Sequence, residues 1–136
     1  MSEANAERGE VMVELDGVDH VLRPSFEAQV AIERQCGRSI EMLAQAAGEA
    51  TMTIEEAAIV VTECVKAYGR ATGEASLTGY TTSRVGECII ETGKLGIVKR
   101  LELLLFLAAN GGYRASGEVR TLSTKAAPAG SVDTDA

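Results

Sequence analysis

One histidine, three cysteines and a scatter of carboxylates are the residues in this 136-residue chain whose types could do chemistry. His20 stands beside Asp19 and near Asp16, a grouping that a divalent metal could use. The pattern around it argues otherwise. Residues 10–22 alternate as two strands about Asp16-Gly17, and neighbouring positions on a strand point to opposite faces. His20 and Asp19 therefore diverge, and His20 is a packed or rim histidine. Cys36, Cys64 and Cys88 are too widely spaced for a Cys-x-x-Cys motif, and each has apolar neighbours in a predicted helix. They read as small reduced core residues. A nucleophilic cysteine would need a base, and the one histidine lies on a different kind of element, so no Ser/His/Asp or Cys/His set assembles. Gly93-Lys94 looks like the end of a phosphate-binding loop, but Cys88 stands where a glycine is required and Leu95 where Ser or Thr is required. Glu55 and Glu56 open a helix, where capping explains both, and Glu87 and Glu91 form a solvated helix face. The reading is no catalytic, metal or cofactor-binding residues, and no enzyme.

The elements around these residues follow from local rules. Val11, Val13 and Leu15 alternate with Met12 and Glu14, and Asp16-Gly17 suits a type I′ hairpin turn. A two-residue turn pairs Leu15 with Val18, Val13 with His20 and Val11 with Leu22 on one apolar face. The other face carries Glu10 opposite Arg23, Glu14 opposite Asp19 and Met12 opposite Val21. A lone hairpin is marginal in water, so helices should cover it. Pro24-Ser25 starts a first helix, with Phe26, Val30 and Ile32 as apolar surface and Gly37 as its stop. Ser39 caps a second, with Ile40, Leu43, Ala44 and Ala47 inward and Gly48 at its end. Thr53 and Glu56 form a capping box for a third, which runs to about Tyr68 with Ile54, Ala57, Ala58, Val61 and Val65 on one face, closed by Gly69. Residues 69–82 read as a loop. A short helix follows over about Ser83–Thr92, burying Val85, Cys88 and Ile89, and a last one over about Lys94–Ala109.

The expected architecture is mainly α (α+β), an N-terminal β-hairpin packed on a bundle of about five short helices. One domain spans residues 10–113, with a disordered lead at 1–9 and a disordered tail at 114–136, where the composition cannot bury a core.

Charge narrows the partners. Thirteen basic residues oppose 20 acidic ones for a net charge of −7, and aromatics are 4% with no Trp. The acid surplus works against nucleic acid or an anionic membrane as a partner. Residues 1–9 hold no apolar stretch of a signal peptide, and the longest apolar run, Leu103 to Ala109, is far below the ~20 residues of a bilayer span. The expected location is cytoplasmic.

In the last helix Ile97, Leu101, Leu104, Leu105 and Ala108 make the core stripe, yet Leu103, Phe106 and Leu107 are apolar on the far side. Such a helix is either central in its domain, the commoner case, or carries a surface for a partner.

The order of features resembles a known family. Arg8-Gly9-Glu10-Val11 leads into the hairpin, then come Leu22-Arg23-Pro24-Ser25-Phe26-Glu27-Ala28, Ile32-Glu33 and Gly37-Arg38-Ser39-Ile40. Ala67-Tyr68-Gly69, the stretch Val85–Gly93 and a leucine-rich helix ending in Gly111-Gly112 follow. Over residues 8–113 this is similar to the small tail proteins of gene transfer agents and tailed phages, of tail tube or tail assembly chaperone type. The resemblance implies a non-enzymatic role in virion assembly in the host cytoplasm: covering the long, apolar tape-measure protein in many copies until tail tube subunits polymerise. Tape-measure and tail tube proteins are then the partners, self-association is expected, and Leu103, Phe106 and Leu107 are the client-binding residues. A minor structural component of the tail and a small regulatory or nucleic-acid-associated helical protein are the alternatives. For the latter, Arg84, Lys94, Lys99 and Arg100 are few and dispersed.

Overall fold

Residues 10–120 are described by the structure, a computed structural model. Within them β1 (Val11–Leu15) and β2 (Val18–Leu22) form a two-stranded antiparallel sheet, followed by α1 (Phe26–Cys36), α2 (Ile40–Gly48), α3 (Ile54–Thr72), α4 (Ala75–Thr78), α5 (Thr82–Thr92) and α6 (Lys94–Ala109). The architecture is mainly α, a hairpin on a bundle of short helices. The expected register holds at every pair from Val11↔Leu22 to Leu15↔Val18. Asp16 (φ 56°) and Gly17 (φ 80°) both take the left-handed conformation that a type I′ turn demands. Beyond the strands, Arg23 and Glu10, opposite each other in the expected register, form an ion pair at 3.9 Å.

The helix starts are set by side chains. Ser25, Ser39 and Thr53 each accept a hydrogen bond from a first-turn amide, and the Thr53 amide in turn donates to the Glu56 carboxylate at 3.1 Å. The α2 start gains a second acceptor, the Glu33 carboxylate, from the Ile40 amide at 2.9 Å.

The centre of the fold is α3. Every residue from Ala57 to Val65 is buried, and the helix packs against α1, α4, α5, α6 and β2. Its small and β-branched side chains let neighbours approach from all sides, a role the sequence reading weighed for the last helix. That last helix, α6, packs instead on α2 and β1, burying Ile97, Val98, Leu101, Leu104 and Leu105.

Several expectations need correction. Gly69 does not end α3; the helix continues to Thr72, and Gly73 (φ 77°) caps it. Gly69 is there for closeness, since a Cβ would meet the Leu77 Cβ at 2.7 Å and the Glu74 carbonyl at 3.0 Å. The expected loop at 69–82 thus contains the end of α3 and all of α4. Gly48 is the last residue of α2, as expected, and the left-handed turn after it falls on Ala50 (φ 60°). Phe26, Val18 and Ile54 are exposed, because α1, the hairpin tip and the first turn of α3 lie at the rim of the fold. Val21, placed on the polar face, is buried, because β2 runs against α3 and the Arg23 amide bonds the Cys64 carbonyl at 3.1 Å.

Residues 114–120 also depart from the expected tail. They fold back on the domain: Tyr113 bridges Val119, the Arg120 amide bonds Gly112, and the Phe26 amide donates to Ala115 at 2.7 Å. Gly117 makes this possible, with φ 89° and a Cβ position only 2.8 Å from the Ser25 nitrogen. The expected lead at 1–9, and the expected tail from 121 onward, lie outside the described residues.

Candidate partner-binding surface

The outward side of α6 carries three exposed large apolar side chains. Leu95, Leu103 and Phe106 are 59, 52 and 59% exposed. At about 100° per residue they fall on one flank of the helix with Lys99 and Glu102 between them. A groove of about 570 Å³ lies between this flank and α2, walled by Ala44, Gln45 and Gly48 on one side and by Lys99, Leu103 and Phe106 on the other. Gly48 keeps the wall low: a Cβ there would stand 3.1 Å from the Glu102 carboxylate, which lies over it. Leu95 and the α2 wall escaped the sequence reading. Leu95 could have been found from its spacing, eight residues before Leu103 and eleven before Phe106.

Leu107, grouped with Leu103 and Phe106 from the sequence, does not share their exposure. It is half-buried, because the chain turns back after α6 and the Gly112 amide bonds the Leu107 carbonyl at 2.7 Å. Its side chain packs at that turn, where a Cβ on Gly112 would come within 2.9 Å of the Leu107 Cβ. Leu107 belongs to the helix stop.

A second hollow, about 360 Å³, opens between the hairpin tip and the start of α5 and is bordered by Val18, His20, Tyr80, Arg84 and Cys88. His20 is buried beside it, with Nδ1 2.9 Å from the Val18 carbonyl and Nε2 2.7 Å from the Tyr80 hydroxyl. The carbonyl can only accept, so Nδ1 carries the proton and Nε2 accepts from Tyr80. Burial pulls the His20 pKa down, and the Val18 carbonyl and the Asp19 charge offset only part of that. A neutral imidazole with both nitrogens engaged is a latch between β2 and the segment before α5, not a base awaiting a substrate.

The other titratable groups serve the joints of the fold. Arg38 donates two hydrogen bonds to Glu56, at 3.0 and 3.2 Å, fastening the α1–α2 corner to the start of α3. Partial burial pushes the Glu56 carboxyl up, but the Arg38 and Thr53 bonds outweigh it and hold the pKa below the usual value. Burial pushes the Cys36 thiol up to about 11 and raises the fully buried Cys64 further, so both are held as thiols. All three cysteines are free. Among the described residues no three His, Cys, Asp or Glu side chains stand close enough to hold a metal ion, and no helix is long and apolar enough to cross a membrane.

No curated protein and no solved structure matches the chain. Over residues 8–89, more than half its length, the chain matches the family described as phage tail tube protein, GTA-gp10, and it belongs to that family.

Proposed function

We propose that this protein is a phage-type tail assembly chaperone that covers an apolar, helical tape-measure protein through the outer flank of α6 and the α2–α6 groove. The observation that carries the reading is the exposure of Leu103 and Phe106 above that groove, in a member of a phage tail family. A groove of this kind accepts an amphipathic helix lying lengthwise, with client side chains entering every three or four residues. Leu103 and Phe106 contribute contact area, while Lys99, Gln45 and Glu49 border it with polar groups. The net charge of −7 keeps a coated client soluble. Cations on the described surface support a protein partner over nucleic acid. Of Arg84, Lys94, Lys99 and Arg100, Arg84 borders the hairpin-tip hollow, Arg100 reaches the Met12 carbonyl at 3.4 Å and Lys99 edges the α2–α6 groove, so these three border different hollows. Work is done by contact in the host cytoplasm, with no bond made or broken.

The family match ends at residue 89, short of the residue 113 reached by the likeness noted from sequence, and α6 lies beyond it. The client surface therefore rests on the exposure and groove geometry of α6, while the family match supports the tail-associated role. Co-expression with a tape-measure protein tests it. The wild-type chain should keep that client soluble and co-purify with it, and the Leu103→Asp/Phe106→Asp variant should do neither while remaining folded. A client equally soluble without this chain refutes the reading. The family description favours one other role, a structural component of the tail. Finding the chain in purified finished particles at tube stoichiometry would select it.

A further inference from the structure

The α6 flank has a second property that a client surface does not require: it is complementary to itself. Leu95, Lys99, Glu102 and Phe106 are spaced four, three and four residues apart, the seam of a coiled coil. All four are exposed, and among the described residues neither Lys99 nor Glu102 makes an ion pair. Place a second α6 antiparallel across this seam, with a two-fold axis passing between Arg100 and Leu101. Leu95 then meets Phe106 of the second copy, and Lys99 meets Glu102 of the second copy, each pair occurring twice. Gly96, with open space where a Cβ would stand, lies on the same flank as Leu103 and about half a turn from the level of Leu103 of the second copy, which leaves room for it. A parallel pairing would set Lys99 against Lys99 and Glu102 against Glu102, so charge selects the antiparallel one.

We propose that, free of client, the protein forms an isologous dimer through antiparallel α6 helices, with a second copy of this chain covering the seam. The contact is short, since sixteen residues of helix span only about 24 Å. So short a contact is small for a permanent interface, and the dimer should be reversible and concentration-dependent. That weakness has a use. The dimer hides Leu95, Leu103 and Phe106 from solvent and yields them to a client that offers a longer contact. The argument rests on register and charge in this chain, and no client is needed to test it.

Sedimentation velocity of the full-length protein across a concentration series is the experiment, with helix content checked by circular dichroism. Wild type should dimerise reversibly. Lys99→Glu and Glu102→Lys each create two like-charge pairs per dimer and should weaken it at least about tenfold. The doubly reversed protein should recover wild-type affinity to within about threefold, because each pair is opposite in sign again. A mixture of the two single variants should form the heterodimer in preference to either homodimer. A protein monomeric throughout, or a dimer indifferent to the single reversals, overturns the proposal. So do single variants that weaken the dimer without rescue in the double reversal. Because the client is absent from every arm, failure here leaves the chaperone reading untouched, and failure of client binding leaves the dimer untouched.

Discussion

Two glycines inside helices should respond in opposite directions to the same substitution. Gly69 lies in α3 and Gly86 in α5, and neither has a positive φ. Replacing glycine by alanine in a helix interior stabilises by about 0.5–1 kcal/mol when the new methyl has room. At Gly86 it has room, since the nearest heavy atom is the Ala58 Cβ at 3.6 Å, an ordinary van der Waals contact. At Gly69 the methyl would meet the Leu77 Cβ at 2.7 Å and the Glu74 carbonyl at 3.0 Å. Neither atom is the loose end of a side chain, so α4 as a whole must shift. Overpacking of this kind costs about 1–3 kcal/mol, which leaves a net loss of about 0–2 kcal/mol after the propensity gain. Gly69→Ala and Gly86→Ala should therefore differ by roughly 2 kcal/mol in urea unfolding followed by circular dichroism, with unchanged m. The Gly69 variant should also disturb Tyr80, which follows α4 and bonds its amide to the Leu77 carbonyl at 3.3 Å. If Gly69→Ala stabilises the protein as much as Gly86→Ala does, the close α3–α4 approach is refuted and Gly69 is not a packing residue.

Further tests address the core and the latch. Leu104 is fully buried on the inner side of α6, so Leu104→Ala should cost about 2–5 kcal/mol. The exposed Leu103→Ala should stay within about 0.5 kcal/mol of wild type, and thermal melts of the pair decide. Because the folded state lowers the His20 pKa, its neutral form contributes stability in full above the unfolded value of about 6.5, and this is lost as pH falls through the folded value. The loss should approach about 1.4 kcal/mol per pH unit in that window. Urea unfolding at about pH 7.5 and pH 5 should show it in wild type, and the difference should shrink in His20→Gln. Equal pH dependence in both proteins would remove His20 as its source. Below that window Glu56, whose pKa is also lowered, adds an acid loss of the same sign, centred near the carboxylate range.

What could be read from the sequence was what neighbours along the chain decide. The hairpin register follows from a two-residue turn, and Ser25, Ser39 and the Thr53–Glu56 box act within one helical turn, so each was legible from a few letters. The inward stripe of α6 was equally plain, since a 3.6-residue period needs only the helix itself. Leu103 and Phe106 could be placed on the far side of that helix, but whether the far side met solvent or another element depended on residues remote in sequence. Tertiary packing made α3 the central helix and left α6 with an open flank. Distance in the chain explains the misread positions too. Gly69 looks like a stop until α4 is laid against it, and Leu107 looks like surface until the Gly112 turn closes over it. Residues 114–120 look patternless because, besides a local turn, they are held by the Phe26 amide and the Arg23–Ser25 backbone, about ninety residues away in the chain. Local rules set where elements begin, end and face; only assembly decides which apolar face remains uncovered, because burial is a property of pairs of elements and not of one.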